Sequence, residues 1–124
     1  MFSWLNICVL IWEYDTILTA VNIADQIAKY ENRGFNRERA EVNVLMEHAA
    51  VSIFRDFPDA FVLFGGATLV LYHDSVRHSA DLDLLPRGAE LPPHVEIVAC
   101  LERDLPTIAE TIGLGGLEFE TENR

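Results

Sequence analysis

Basic side chains are scarce: the 124-residue chain holds one lysine, Lys29, and nine Lys and Arg in all, against twenty Asp and Glu. The formal net charge of -11 argues against non-specific nucleic-acid binding, since affinity for a phosphate backbone comes from Lys and Arg. Arg33, Arg37 and Arg39 cluster in ENRGFNRERA, but a solvated helix start accounts for them, and the cluster is assigned no role. Cysteine is rare too. Cys8 and Cys100 stand far apart with no CxxC spacing, which excludes a zinc-ribbon pattern and fits free thiols in a reducing, cytoplasmic compartment. His48, His73, His78 and His94 show no HExxH or paired ligand spacing and read as surface or boundary residues. Long apolar runs are absent. The first stretch, MFSWLNICVLIW, is too short to span a bilayer and lacks the basic start and cleavage site of a signal peptide, so no membrane partner is expected.

Half of the residues are hydrophobic and 23% are charged, the balance of a folded globular chain. That length suits one domain with a real core. Residues 1–14 form an apolar segment of open status, either a packed terminal element or the product of a start codon placed too far upstream, and residues 15–124 form the domain.

Apolar residues at three- and four-residue steps predict a helix from about Asp15 to Tyr30, ended by Arg33-Gly34. Asn36 suits the N-cap of a second helix running through Arg55 and stopped by Phe57-Pro58-Asp59. AFVLF, residues 60–64, reads as a strand buried on both faces, 67–73 as a short helix opening at Gly65-Gly66, and 80–85 as a second strand. Pro92 and Pro93 open a third long helix, which Pro106 should kink or split and Gly113 should end. GLEFET, residues 116–121, alternates like a final strand. The order predicts an α/β (α+β two-layer) fold with helices packed on one small mixed sheet.

FVLFGGATLVLYHDSVRHSADLDLL, residues 61–85, carries the chemistry. In a strand Asp81 and Asp83 project to one face while Leu82 and Leu84 anchor the other. Two carboxylates about 7 Å apart on one face repel, and a divalent cation beside them turns repulsion into binding. Mg²⁺ is the natural choice, because it takes one or two carboxylates and leaves positions for water and phosphates. A strand that ends in Gly65-Gly66 and opens a helix aims free backbone N–H groups outward at an anion, and a missing Cβ lets a phosphate approach. Thr68 could add a hydroxyl donor in the first turn, Ser79 lies in register with the aspartates, and Arg77 would join them if the strand began early. Either half alone is a common structural feature; together they are what a metal-dependent nucleotide site requires.

At these residues the chain resembles the nucleotidyltransferase superfamily typified by DNA polymerase β, whose signature is a hydrophobic strand, Gly-Gly or Gly-Ser, then a D-x-D or D-x-E strand. More narrowly it is similar to the AbiEii/AbiGii toxin family, whose pattern runs roughly F-x-L-x-G-G-T-A-L, a variable turn, then R-x-S-x-D-L-D-L; here Ala67-Thr68 replaces the usual Thr-Ala order. The close match covers about 25 residues. The resemblance implies Mg²⁺-dependent transfer of a nucleoside monophosphate from an NTP, with the 3′ end of tRNA as an acceptor in some toxin members and an antitoxin encoded nearby. It assigns Gly65 and Gly66 to the triphosphate, Ser79 to phosphate binding, and Asp81 and Asp83 to the metal.

The family also uses a third carboxylate on a later strand, and a lysine and a further aspartate beyond it. Glu118 or Glu120 would supply the third carboxylate only if their strand neighbours Asp81–Asp83. The favoured expectation is that they are solvated and that the missing parts lie beyond a truncated C-terminus. Two alternatives follow: a degenerate, non-catalytic module that binds nucleotide or a protein partner, with self-association through the apolar terminus, or an antitoxin-like domain that modifies a partner protein.

Overall fold

The computed structural model describes residues 22–73, 75, 81–88, 90–114 and 116–120. Helix α1 covers residues 22–32 and closes in a turn at Gly34, whose φ of 107° is open to glycine, with the Phe35 N–H donating back to the Tyr30 carbonyl at 3.2 Å. Helix α2, Arg37–Asp56, starts where its cap predicts: the Asn36 side chain accepts from the Arg39 N–H at 2.8 Å. Strand β1, Phe61–Phe64, and helix α3, Gly66–Tyr72, follow the Pro-Asp turn. Strand β2, Asp83–Pro86, returns antiparallel to β1, with Phe61 opposite Pro86 and Phe64 opposite Asp83. Helix α4, His94–Ile112, opens on Pro93 and ends at Gly113 in the left-handed region, where the Leu114 N–H reaches the Ala109 carbonyl at 2.8 Å. The class is α+β.

The weight of the fold sits in its helices. Ile23, Ile27 and Tyr30 of α1, Ala40 and Val44 of α2, Val70 of α3, and Ile108 and Ile112 of α4 form one buried cluster. Helix α2 packs extensively against α4, whereas the described sheet has two strands and gives one buried side chain, Phe61.

Helices packed on one small sheet were expected, and the described residues have the α+β class, with a two-stranded antiparallel sheet and a buried core drawn mainly from helix residues. Four finer expectations need correcting. β1 is not buried on both faces, since Val62 and Phe64 are exposed: an apolar run reports hydrophobicity but not whether a second layer covers it. Residues 116–120 keep the alternation of a strand in their burial yet form no strand with the described residues, because a ladder needs a partner as well as a pattern. Of the kink or split expected at Pro106, the split does not occur: α4 runs through that exposed residue as one helix. β2 is also shorter than the predicted 80–85: Asp81 and Leu82 precede it.

Arg33, left without a role by the sequence, fastens the helices around the site. Its guanidinium lies over the Tyr30 and Phe35 rings, 5.2 and 5.6 Å from their centroids, and donates to the carbonyls of Val70 and Ser75 at 2.9 and 2.7 Å. It therefore ties the end of α1 to the last turn of α3. Tyr30 in turn donates its hydroxyl to Glu47 at 2.9 Å, and burial, reinforced by that carboxylate, holds the phenol well above its ordinary range. Arg37 pairs with Glu31 and Glu41 on the exposed surface, so the three arginines make no continuous basic patch.

A polar network joins α2 to α4. Asp104 accepts from the buried Ser52 hydroxyl, from Arg55 and from Arg103, and Arg103 also reaches Asp56 at 2.9 Å. The Arg103 hydrogen bonds, with help from Ser52 and Arg55, hold the Asp104 carboxyl far below the usual carboxylate range. A depressed folded-state value stabilises above the unfolded value of about 4 and loses that contribution as pH falls through the folded one. Asp104→Asn is expected to lower the urea midpoint at pH 7, and the gap to wild type should narrow as pH drops below about 4. A gap that stays constant across that range would remove Asp104 from the acid response.

Candidate functional site

The β1–α3–β2 unit brings together the two halves of the pattern. Phe64 lies opposite Asp83 in the ladder, so the turn that follows Phe64 sits beside the first residue of β2. Gly65 there adopts φ 82°, ψ -163°, a region that is essentially closed to residues with a side chain. A Cβ built on Gly65 would come within 2.7 Å of Asp83 Oδ2. The space that glycine leaves is thus occupied by the Asp83 carboxylate, not held open for a phosphate alone, which sharpens the reason for glycine at this position. Gly66 is the first residue of α3, and the start of that helix has no side-chain cap, leaving its first amides to other acceptors.

Asp81 and Asp83 are both exposed while Leu82 and Leu84 are half-buried, the alternation expected of an extended segment with its carboxylates outward. The Asp83 side chain shares its sheet face with Phe64, Val62 and Leu85, the face open to solvent. Thr68, one turn into α3, has a buried hydroxyl oxygen with no hydrogen-bond partner. Arg77 and Ser79 lie outside the described residues. Among the described residues no group of three or more His, Cys, Asp and Glu is gathered as a metal site, so neither Glu118 nor Glu120 joins Asp81 and Asp83.

The donor set fits Mg²⁺ in its chemistry: two exposed carboxylates, one of them seated against a glycine whose Cβ would meet it. Sequence reasoning missed the orphaned buried amide of Asn43 and the Ser52–Asp104 pairing, because both depend on how α2 and its neighbours pack. His48, at the α1–α2 boundary, meets Gln26 at 2.9 Å, and burial lowers its pKa. Cys100 is buried beside Ser52, and burial raises its thiol pKa, the environment of an inert thiol. No helix among the described residues is long and apolar enough to cross a membrane.

Comparison with known proteins finds no matching family model, no matching curated protein and no matching solved structure.

Proposed function

We propose that this chain is a Mg²⁺-dependent nucleotidyltransferase of the AbiEii-like toxin type, on a nucleotidyltransferase-like fold, with its metal and triphosphate groups on the β1–α3–β2 unit. The observation that carries the reading is the seating of the Asp83 carboxylate against Gly65, which joins a glycine turn and an acidic strand in one place. In this reading Asp81 and Asp83 hold the metal, and the amides at the uncapped start of α3 donate to the triphosphate. Bound Mg²⁺ would supply neutralisation of the triphosphate charge and a lowered pKa for the attacking hydroxyl. The acceptor oxygen forms a bond to the α-phosphorus, the bond to the bridging oxygen breaks, pyrophosphate leaves, and the hydroxyl proton passes to water. Arg77 and Ser79 contribute phosphate contacts by resemblance alone. The 3′ end of tRNA is the acceptor proposed, an antitoxin the natural protein partner, and the cytoplasm the compartment.

The test incubates the protein with labelled NTPs, Mg²⁺ and total tRNA. Wild type is expected to transfer label, and Asp81→Ala with Asp83→Ala to lose at least the roughly 100-fold that removing metal-site support costs. Transfer that survives the double substitution would falsify the metal assignment. The second reading is a non-catalytic module that binds nucleotide or a protein partner; it is favoured by the absence of a third carboxylate gathered with Asp81 and Asp83 among the described residues. Binding of Mg-NTP without transfer selects it.

A further inference from the structure

The turn after α2 and the lead-in to α4 line a cleft of about 420 Å³, a size within the range of ligand pockets. Phe57, Pro58 and Ala60 contribute apolar atoms from the first segment, Leu91 and Pro92 from the second. The strand ladder sets its place in the fold. Ala60 precedes Phe61, and its carbonyl accepts from the Arg87 N–H at 2.9 Å, just past Pro86. Phe64 and Asp83 lie three residues further along, roughly 10 Å away, so the cleft sits at the opposite end of the strand pair from the candidate site.

The lining selects what fits. Proline fixes its own φ and has no N–H, so Pro58 and Pro92 stiffen the two segments and remove donors from them. Asp59, Glu90 and Glu96 add three exposed carboxylates, and no Lys, Arg or His stands among the residues that line the cleft. None of the three forms an ion pair among the described residues, Arg87 included. They do not converge either: no three acidic groups among the described residues gather as a metal site, so they suit charges spaced along a chain rather than one ion. Leu91, 52% exposed, and the half-buried Phe57 call for apolar atoms between those charges.

Charge decides the occupant. A second copy brings a formal charge of -11 to an acidic cleft, and a phosphate backbone or an anionic lipid brings the same sign. A lysine or arginine side chain offers what the cleft lacks, donors at its tip, together with an apolar stem to lie along Leu91 and Pro92.

We propose that the cleft between the α2–β1 turn and the start of α4 docks a basic segment of another protein, one in which lysine or arginine alternates with an aliphatic residue. The claim stands apart from the nucleotidyltransferase reading, because no residue of the cleft belongs to that site. The test titrates the full chain into a short fluorescein-labelled peptide of alternating arginine and leucine, followed by anisotropy at physiological salt, where charges more than about 8 Å apart are largely screened. Wild type is expected to bind saturably. Asp59→Asn with Glu96→Gln should weaken binding about tenfold, the loss of two exposed ion pairs. Glu102→Gln with Glu110→Gln removes the same charge from exposed positions of α4 outside the cleft and should change it less than about twofold. Leu91→Ser should weaken the arginine–leucine peptide about fivefold and leave the weaker binding of an arginine–glycine peptide unchanged. All of these positions are exposed, and helical ellipticity checks folding; Glu90→Gln replaces a carboxylate variant that fails it, and Leu91→Thr a failing Leu91→Ser. Four results overturn the proposal: no saturable binding by wild type, equal losses from the two carboxylate pairs, equal affinity for the two peptides, or displacement by equimolar spermine, which would make a small polyamine the occupant.

Discussion

Gly65→Ala is expected to lower the unfolding free energy by about 2–5 kcal/mol, combining a backbone region costly to any other residue with an overpacked contact. The backbone part follows from φ 82° and ψ -163°, and the contact part from the 2.7 Å approach of the new Cβ to Asp83 Oδ2. Out of a total stability of about 5–15 kcal/mol for a domain, such a loss leaves the protein folded but visibly weakened. Gly66→Ala, at the first helical position, is expected to stay within about 1 kcal/mol of wild type, because alanine suits a helix better than glycine. Urea denaturation followed by helical ellipticity separates the two. The parts can be resolved further: in an Asp83→Ala background the carboxylate is gone, and Gly65→Ala should then cost less, with a coupling of about 1–3 kcal/mol between the two positions. Additive effects would mean that the carboxylate is not seated on the glycine. The same substitutions bear on function, since Gly65→Ala must also displace Asp83, whereas Gly66→Ala leaves the carboxylate and alters only the approach to the helix start.

The elements that were legible are those whose ends are written locally. Asn36 caps α2 through its own side chain, and Gly34 and Gly113 supply the positive φ at which α1 and α4 stop. Each of those decisions is taken within a turn of chain, so the sequence alone carries it. Strand burial is a different kind of property. Whether Val62 and Phe64 are covered depends on a layer contributed from elsewhere, and whether Leu117 and Phe119 belong to a strand depends on an edge to pair with; neither is encoded in the segment itself.

The candidate site divides along the same line. Gly65 and Asp83 were legible as chemistry because strand, glycine turn, helix and acidic strand follow one another within 25 residues, and the Phe64–Asp83 pairing places them side by side. The physical meaning of the glycine was only half legible, because the group that fills its missing Cβ is the aspartate itself. Arg33 illustrates what pattern reading loses: in ENRGFNRERA it looks like one of three solvated cations, but its partners are backbone carbonyls at Val70 and Ser75, about forty residues away.

Asn43→Leu is expected to stabilise the protein by about 1–3 kcal/mol, the cost of a buried amide left without hydrogen bonds. Asn43 is fully buried on α2, and neither its amide nitrogen nor its amide oxygen finds a partner. Leucine keeps the branch at Cγ and is the better helix former, and although its two methyl groups are bulkier than the amide oxygen and nitrogen, removal of the unsatisfied amide should outweigh the tighter packing. Asn43→Asp should act in the opposite direction: a carboxylate there has no cation or donor to meet, and the variant should be destabilised by about 3 kcal/mol or more at pH 7. That penalty belongs to the charged form. A buried carboxyl has a raised folded-state value, so the loss should shrink as pH falls below it and the group becomes neutral. Urea midpoints at pH 7 and pH 4 give all of these comparisons. A lower midpoint for Asn43→Leu at both pH values would mean that the amide is satisfied in solution. A higher one would mean that α2 carries a polar group against the interest of its own stability, the kind of local conflict that a chain retains where something other than packing is being specified.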